Sequence, residues 1–284
     1  MILVNGENFS SAEFHNGEVI FEKPSKVNLS RNTIEMYFQD NKDITALLFA
    51  KQYLDDTVLG VPCDLIMKYC PYERMDREID EQMFSMKYFA EILGKFNFDM
   101  VYILDPHSEV CIDVLGDAGL AVGVLNIEDF IRKVIDDFKP DYICYPDKGA
   151  YKKYPKMLSH IGLPYFYGQK TRDLKDNGKI TSYELVNAPD LKDKKVLIID
   201  DICCLGGTAY NAATKMKELG AKEVAFYISH CEDGIFKGKI LEKNKIKFNG
   251  KETSFTGEGY TIDKVYTANT MLLSEEHKNI IIVD

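Results

Sequence analysis

Asp200 and Asp201 end an apolar run, Val196-Leu197-Ile198-Ile199, and Ile202-Cys203-Cys204-Leu205-Gly206-Gly207-Thr208 follows. The run reads as a buried strand. Two adjacent carboxylates at its end can accept hydrogen bonds from sugar hydroxyls or meet a cation. The two glycines let backbone N–H groups approach an anion, and a helix beginning there adds its dipole. That helix is expected over Ala209–Leu219, stopped by Gly220. No Lys follows the glycines, so this is not a Walker P-loop, and there is no G-x-G-x-x-G turn. The stretch predicts a turn that holds a phosphate, with two acids beside it. A plainer reading is a buried strand with solvated carboxylates.

Other chemistry-bearing groups follow other apolar runs. They are Asp76 and Arg77, Asp105 and His107, Asp147, and His230. One acid after a strand is ordinary surface chemistry. Several, at the carboxyl ends of parallel strands, are expected to face one cleft.

The elements that would position them alternate in type. Strands are expected at Ile2–Val4, Val19–Glu22, Ile34–Phe38, Cys63–Tyr69, Met100–Leu104, Val122–Leu125, Tyr142–Tyr145, Val224–Ser229, Lys264–Tyr266 and Ile280–Val283, with Tyr165–Lys170 extended. Helices are expected at Ile44–Leu59, Glu81–Phe96, Ile127–Phe138 and Tyr151–His160, with another starting at Phe236–Leu241. On Glu81–Phe96, Met83, Met86, Phe89, Ala90 and Leu93 would share one face. Thr171–Lys179 reads as a polar loop, and Glu242–Gly259 as a surface loop or hairpin. Strands alternate with helices twice over, which predicts an α/β chain of two domains with mostly parallel sheets. The boundary is expected near residues 119–124, giving domains 1–122 and 123–284.

Composition bounds the partners. The 284 residues are 45% apolar and 28% charged, enough for sizeable cores. A net charge of −10 argues against nucleic acid as a partner, since duplex binding needs a basic face. No apolar run approaches the ~18 residues of a membrane span, and the N-terminus is no signal peptide, so a cytoplasmic location is expected. Seven cysteines without C-x-x-C spacing exclude a zinc framework and predict small core residues.

The motifs, taken in order, resemble the ribose-phosphate diphosphokinases, the phosphoribosyl pyrophosphate (PRPP) synthases, over nearly the whole chain. Phe14-His15-Asn16-Gly17-Glu18 is similar to that family's F-x-x-G-E adenine-contacting loop. Pro71-Tyr72-Glu73-Arg74-Met75-Asp76-Arg77 is similar to P-Y-x-R-Q-D-R, Leu104-Asp105-Pro106-His107 to L-D-x-H, Tyr145-Pro146-Asp147-Lys148-Gly149 to S-P-D-x-G, and Lys170-Thr171-Arg172 to K-x-R. The resemblance implies two domains of phosphoribosyltransferase type. It implies an enzyme that moves the β,γ-diphosphate of ATP to the C1 hydroxyl of ribose 5-phosphate, with Mg²⁺. Phe14, Asn16, Glu18, Arg74, Asp76, Arg77 and His107 would bind ATP. His107 and Asp147 would contact metal. Asp200, Asp201, Cys204, Leu205, Gly206, Gly207 and Thr208 would bind the ribose phosphate. Lys170 and Arg172 would be catalytic, on a loop that closes as a lid. A homo-oligomer, dimer or larger, is implied too, although the first strand-helix unit of the family is mostly missing.

The chain departs from the family's D-T-x-G-T turn. Cys204 stands for the Asp and Leu205 for the first Thr. Leu205 removes a hydroxyl and adds apolar bulk, which opens a second acceptor class: a ribose whose 5-phosphate is esterified, such as ADP-ribose, with a place in NAD metabolism. Two rivals are a phosphoribosyltransferase, which would not need the Phe14–Glu18 and Arg74–Arg77 segments, and a non-catalytic homologue, which should have lost Lys170, Arg172, His107 or Asp147.

Overall fold

The structure is a computed structural model that describes residues 1–173, 179–241, 247–248, 251–252, 261–268, 271, 277 and 279–283. The chain divides into two compact units, Met1–Asn126 and Ile127–Asp284.

The first unit carries β1 (Ile2–Val4), β2 (Glu7–Asn8), the β3–β4 hairpin (Ser11–Glu13 and Val19–Phe21), β5 (Asn32–Met36), α1 (Asn41–Thr57), β6 (Cys63–Met67), α2 (Ser85–Leu93), β7 (Met100–Leu104), α3 (Glu109–Asp117) and β8 (Val122–Leu125). Its six-stranded sheet runs β2-β1-β5-β6-β7-β8. β5 to β8 are parallel, and β1 joins antiparallel at the other end. Alternate residues of β5 and β6 are fully buried, with Ile34, Met36, Leu65 and Met67 at 0% exposure. Asp40 caps α1 by accepting from the Lys42 N–H, and Asp43 closes the capping box.

The second unit carries α4 (Glu128–Phe138), β9 (Tyr142–Tyr145), α5 (Lys148–Met157), β10 (Tyr165–Asp173), β11 (Lys179–Val186), β12 (Lys195–Cys203), α6 (Gly207–Glu218), β13 (Glu223–Cys231), the short pair β14 (Lys247–Phe248) and β15 (Lys251–Glu252), β16 (Lys264–Thr267) and β17 (Ile280–Ile282). The seven-stranded sheet has the order β11-β10-β9-β12-β13-β16-β17, parallel except for β11. β12 lies at its centre, and Val196 to Ile199 are all buried, as a strand covered on both faces must be. α4 buries Ile131, Val134 and Phe138, an i, i+3, i+7 stripe. This is the α/β architecture with two mostly parallel, helix-flanked sheets that the alternation predicts.

Several elements differ from expectation. The strand Val122–Leu125, read from sequence as opening the second half, pairs with β7 and completes the first sheet, so the division falls after it. α2 begins at Ser85 rather than Glu81, because residues 79–82 form an isolated bridge and Met83 stays exposed. α3 was not anticipated; its signal is the buried pair Cys111 and Leu115 at i, i+4. α5 starts at Lys148 because Asp147 caps it. The expected loop 171–179 is mostly strand at its ends: β10 runs to Asp173 and β11 starts at Lys179. Residues 174–178 lie outside the described residues. The expected helix at Phe236–Leu241 is a 3-10 turn at Asp233–Lys237. His230 is the penultimate residue of β13 and is buried. Residues 247–248 and 251–252 pair as a hairpin, and the rest of 242–259 lies outside the described residues.

The buried centre of the second sheet sets its stability. Ile198→Ala, with the parent side chain at 0% exposure, should cost about 2–5 kcal/mol in a denaturant titration. A loss within measurement error would mean that the β12 core relaxes to fill the cavity.

Candidate active site

Register brings the chemistry of the second unit to one sheet edge. Tyr142, Ile143 and Cys144 of β9 lie opposite Val196, Leu197 and Ile198 of β12. The next residues along both strands are therefore Tyr145-Pro146-Asp147 and Ile199-Asp200-Asp201. On the other side, Tyr167 of β10 lies opposite Tyr145, so Lys170 follows at the same edge. Parallel strands put the carboxyl ends together, which is where α/β sheets hold ligands.

Asp147 uses its two carboxylate oxygens differently. Oδ1 accepts from the N–H groups of Gly149 and Ala150 at 2.9 and 3.1 Å and so caps α5. Oδ2 meets Lys170 Nζ at 3.1 Å. The same ammonium donates to Thr208 Oγ1 at 2.7 Å. Lys170, Asp147 and Thr208 thus form one contact between β10, the β9–α5 turn and the start of α6. From α5, Lys153 Nζ stands 3.7 Å from Asp201 Oδ2.

Three carboxylates on one edge repel. Burial pushes the Asp200 carboxyl well above the usual carboxylate range, and the charges of Asp201 and Asp147 push it the same way. The Asp201 N–H bonded to it and the Lys170 ammonium pull only partly back. Such a cluster is relieved by a bound cation or by hydroxyl donors. Among the described residues, no three His, Cys, Asp or Glu side chains converge as a metal cage. The oxygen donors fit a hard ion that keeps waters and takes the rest of its shell from a phosphorylated ligand, as Mg²⁺ does.

The turn after β12 is built by glycine. Gly206 has φ +71, and a Cβ there would lie 2.0 Å from Ile240 Cδ1. Its backbone follows β12 into α6, whose first N–H groups have no intrahelical acceptor and suit an anion. Residues behind it pack closely. A Cβ at Gly238 would stand 2.0 Å from the Leu205 carbonyl oxygen. Cys204 and Leu205 are exposed, Leu205 at 54%, while Cys203 beneath them is buried.

The first unit gathers its own group. Asp76 is 5% exposed. Arg77 donates to it from Nε at 2.8 Å and from Nη2 at 3.2 Å, and Ser108 Oγ donates at 2.9 Å. Burial raises the Asp76 carboxyl, but the bonds from Arg77 and Ser108 and the charges of Arg77 and His107 outweigh it, and the group ends below its ordinary value. Buried Glu73 accepts from the His107 N–H at 3.1 Å. The segment Pro71–Arg77 is thereby tied to the turn after β7, with His107 and Arg74 exposed. Phe14, Asn16 and Glu18 form a separate cluster at the tip of the β3–β4 hairpin. Asn16 Nδ2 donates to Glu18 Oε2 at 2.8 Å, and Phe14 is exposed.

The structure brings Asp147, Lys170 and Thr208 into contact and sets Asp200 and Asp201 at the same sheet edge. Arg172 lies on β10, and its side chain lies outside the described residues. Sequence reading passed over Lys153, Ser108 and Glu73. It also passed over Tyr183 of β11, whose hydroxyl donates to the Pro146 carbonyl at 2.8 Å. The alternation Ile180-Thr181-Ser182-Tyr183-Glu184-Leu185 carried the signal for that strand.

The raised Asp200 carboxyl makes a prediction. A group whose folded pKa lies above its unfolded value favours the folded state below the unfolded pKa, and that advantage is lost as pH rises through the folded pKa. At neutral pH Asp200 thus opposes folding of the ligand-free protein, because the unfolded chain ionises it freely and the folded site resists that charge. Asp200→Asn should raise Tm at pH 7, and the gain should shrink as pH falls toward 4, in parallel melting curves. A lower Tm at pH 7 would contradict this.

Similarity to known proteins agrees with this geometry. The phosphoribosyl transferase domain family matches residues 123–264. A ribose-phosphate pyrophosphokinase of Saccharolobus solfataricus is 31% identical over 224 residues, 76% of this chain and 74% of that protein. One from Pyrococcus abyssi is 28% identical over 180 residues, 63% of this chain and 60% of the relative, which is less than two thirds of its length. The solved phosphoribosylpyrophosphate synthetase of Mycobacterium smegmatis superposes with a TM-score of 0.73 at 17% identity, covering 97% of this chain and 85% of that one, and shares its fold. The chain belongs to the ribose-phosphate pyrophosphokinase family, a family of transferase enzymes with two phosphoribosyltransferase-type sheets.

Proposed function

We propose that the chain transfers the β,γ-diphosphate of ATP to the C1 hydroxyl of ribose 5-phosphate, forming PRPP and AMP. The C1 oxygen attacks the β-phosphorus. The bond from that phosphorus to the α,β-bridging oxygen breaks, AMP leaves with the oxygen, and the hydroxyl proton passes to solvent. The observation that carries this reading is the Lys170 ammonium held between Asp147 and Thr208. It supports the reading because a cation then stands beside the Gly206–Thr208 turn and the acidic edge, where charge on a transferring phosphoryl group would need stabilising.

Each residue has a part in this reading. The turn Cys204–Thr208 and the α6 N-terminus hold the 5-phosphate. Asp200 and Asp201 accept from ribose hydroxyls, which relieves their mutual repulsion. Lys170, with Arg172 farther along β10, stabilises the transferring group. Phe14, Asn16, Glu18, Arg74, Asp76 and Arg77 serve the nucleotide, Asp76 by holding Arg77. Asp147 of the second unit and His107 of the first would each be a contact for Mg²⁺, which would neutralise charge on the phosphates.

Incubation with ATP-Mg and ribose 5-phosphate should release AMP in equal amount to PRPP, followed by chromatography. ADP and a phosphorylated sugar would instead identify an ordinary kinase. Lys170→Ala should lower kcat by at least ~100-fold with little change in the KM for ATP. A raised KM at unchanged kcat would assign Lys170 to ground-state binding.

A second acceptor is favoured by the exposed Leu205. An esterified 5-phosphate, as in ADP-ribose, carries one charge fewer and needs fewer donors than a dianion. Each lost hydrogen bond to a charged group costs ~1.5–3 kcal/mol. Leu205→Thr should therefore improve kcat/KM for ribose 5-phosphate relative to ADP-ribose. An unchanged ratio in the same assay would remove position 205 from acceptor choice.

A further inference from the structure

We infer that Tyr183 is a positioning residue that fixes Asp147, and with it the Lys170 contact, from the neighbouring strand. The inference rests on the reaction proposed above for its effect on rate, and on geometry alone for its effect on structure. Tyr183 lies opposite Lys170 in the antiparallel β10–β11 ladder. Its hydroxyl crosses β10 and donates to the carbonyl of Pro146, the residue just before Asp147. It crosses at Gly168. A Cβ there would lie 1.8 Å from Tyr183 Oη and 2.7 Å from the Pro146 carbonyl oxygen. Gly168 has no left-handed backbone to explain it, so the close passage of the phenol and of the Pro146 carbonyl together requires a glycine. Burial pushes the Tyr183 phenol far above its ordinary value, so it stays a protonated donor at any working pH.

The turn is thus held from two sides. Asp147 Oδ1 caps α5 on one side, and Tyr183 grips the preceding peptide on the other. Lys170, on the strand that Tyr183 crosses, meets the other carboxylate oxygen of Asp147. A carboxylate that must meet a ligand and an ammonium together loses function when displaced by a fraction of an ångström.

The test is Tyr183→Phe in the full chain. The amides of Gly149 and Ala150 report directly on where Asp147 sits, because its carboxylate accepts from both. Their hydrogen exchange should accelerate by at least about fivefold while peptides from β12 and β13 keep their protection. With ribose 5-phosphate and ATP-Mg, kcat should fall on the order of tenfold, with KM for ribose 5-phosphate within about twofold. Gly168→Ala, which displaces the phenol, should give the same local exchange signature. Unchanged exchange at Gly149 and Ala150 overturns the inference. Acceleration spread over the whole second unit overturns it too, since that marks general destabilisation. If the unaltered chain releases no AMP, the proposed reaction fails, while the exchange result still decides the role of Tyr183.

Discussion

One ammonium group holds the edge of the second sheet together. Lys170 Nζ reaches both Asp147 and Thr208, and through them joins a β-strand, a helix-capping turn and the glycine turn that opens α6. The constraint behind it is charge. Asp147 follows β9, Asp200 and Asp201 lie within the last residues of the neighbouring parallel strand β12, and the repulsion among them raises the Asp200 carboxyl on top of its burial. Without a cation, an edge like this opposes folding. In the proposed reaction the same edge would accept ribose hydroxyl donors, which would relieve that repulsion.

The first unit solves a similar problem locally. Asp76 is buried yet stays in the charged form, because Arg77 and Ser108 bond it. The cost of burying the carboxylate is offset by fixing a guanidinium and a turn beside His107. Glu73 ties the same turn from below. Loops with chemistry are held here by buried acids, since a rigid scaffold alone does not orient long basic side chains.

Much of this was legible in the residues. The apolar run into Asp200 and Asp201, the glycines after it and the helix beyond are read from types and spacing, because a buried strand, an anion turn and a helix stop each demand particular residues. The strand ends at Asp105 and Asp147 were legible for the same reason. β11 and α3 were not. β11 is a polar alternation at the sheet's edge, and α3 presents only two buried residues, so neither has the strong periodicity that burial on both faces imposes. The burial of His230 was not legible either, because its strand runs on to Cys231, and a histidine gives no sign that burial will continue past it.

By itself the sequence determined the alternating α/β class, the central strand and its turn, and which residues could carry charge to a ligand, since these follow from local hydrophobic period and backbone freedom. It also determined the loss of two polar side chains at Cys204 and Leu205. Tertiary structure decided the partners. Lys170 meets Thr208 across 38 positions of chain and Tyr183 meets Pro146 across 37, pairings set by strand order and register. Only the folded sheet buries Asp200 and adds the charge of the distant Asp147 to that of its chain neighbour Asp201, which together raise the Asp200 carboxyl.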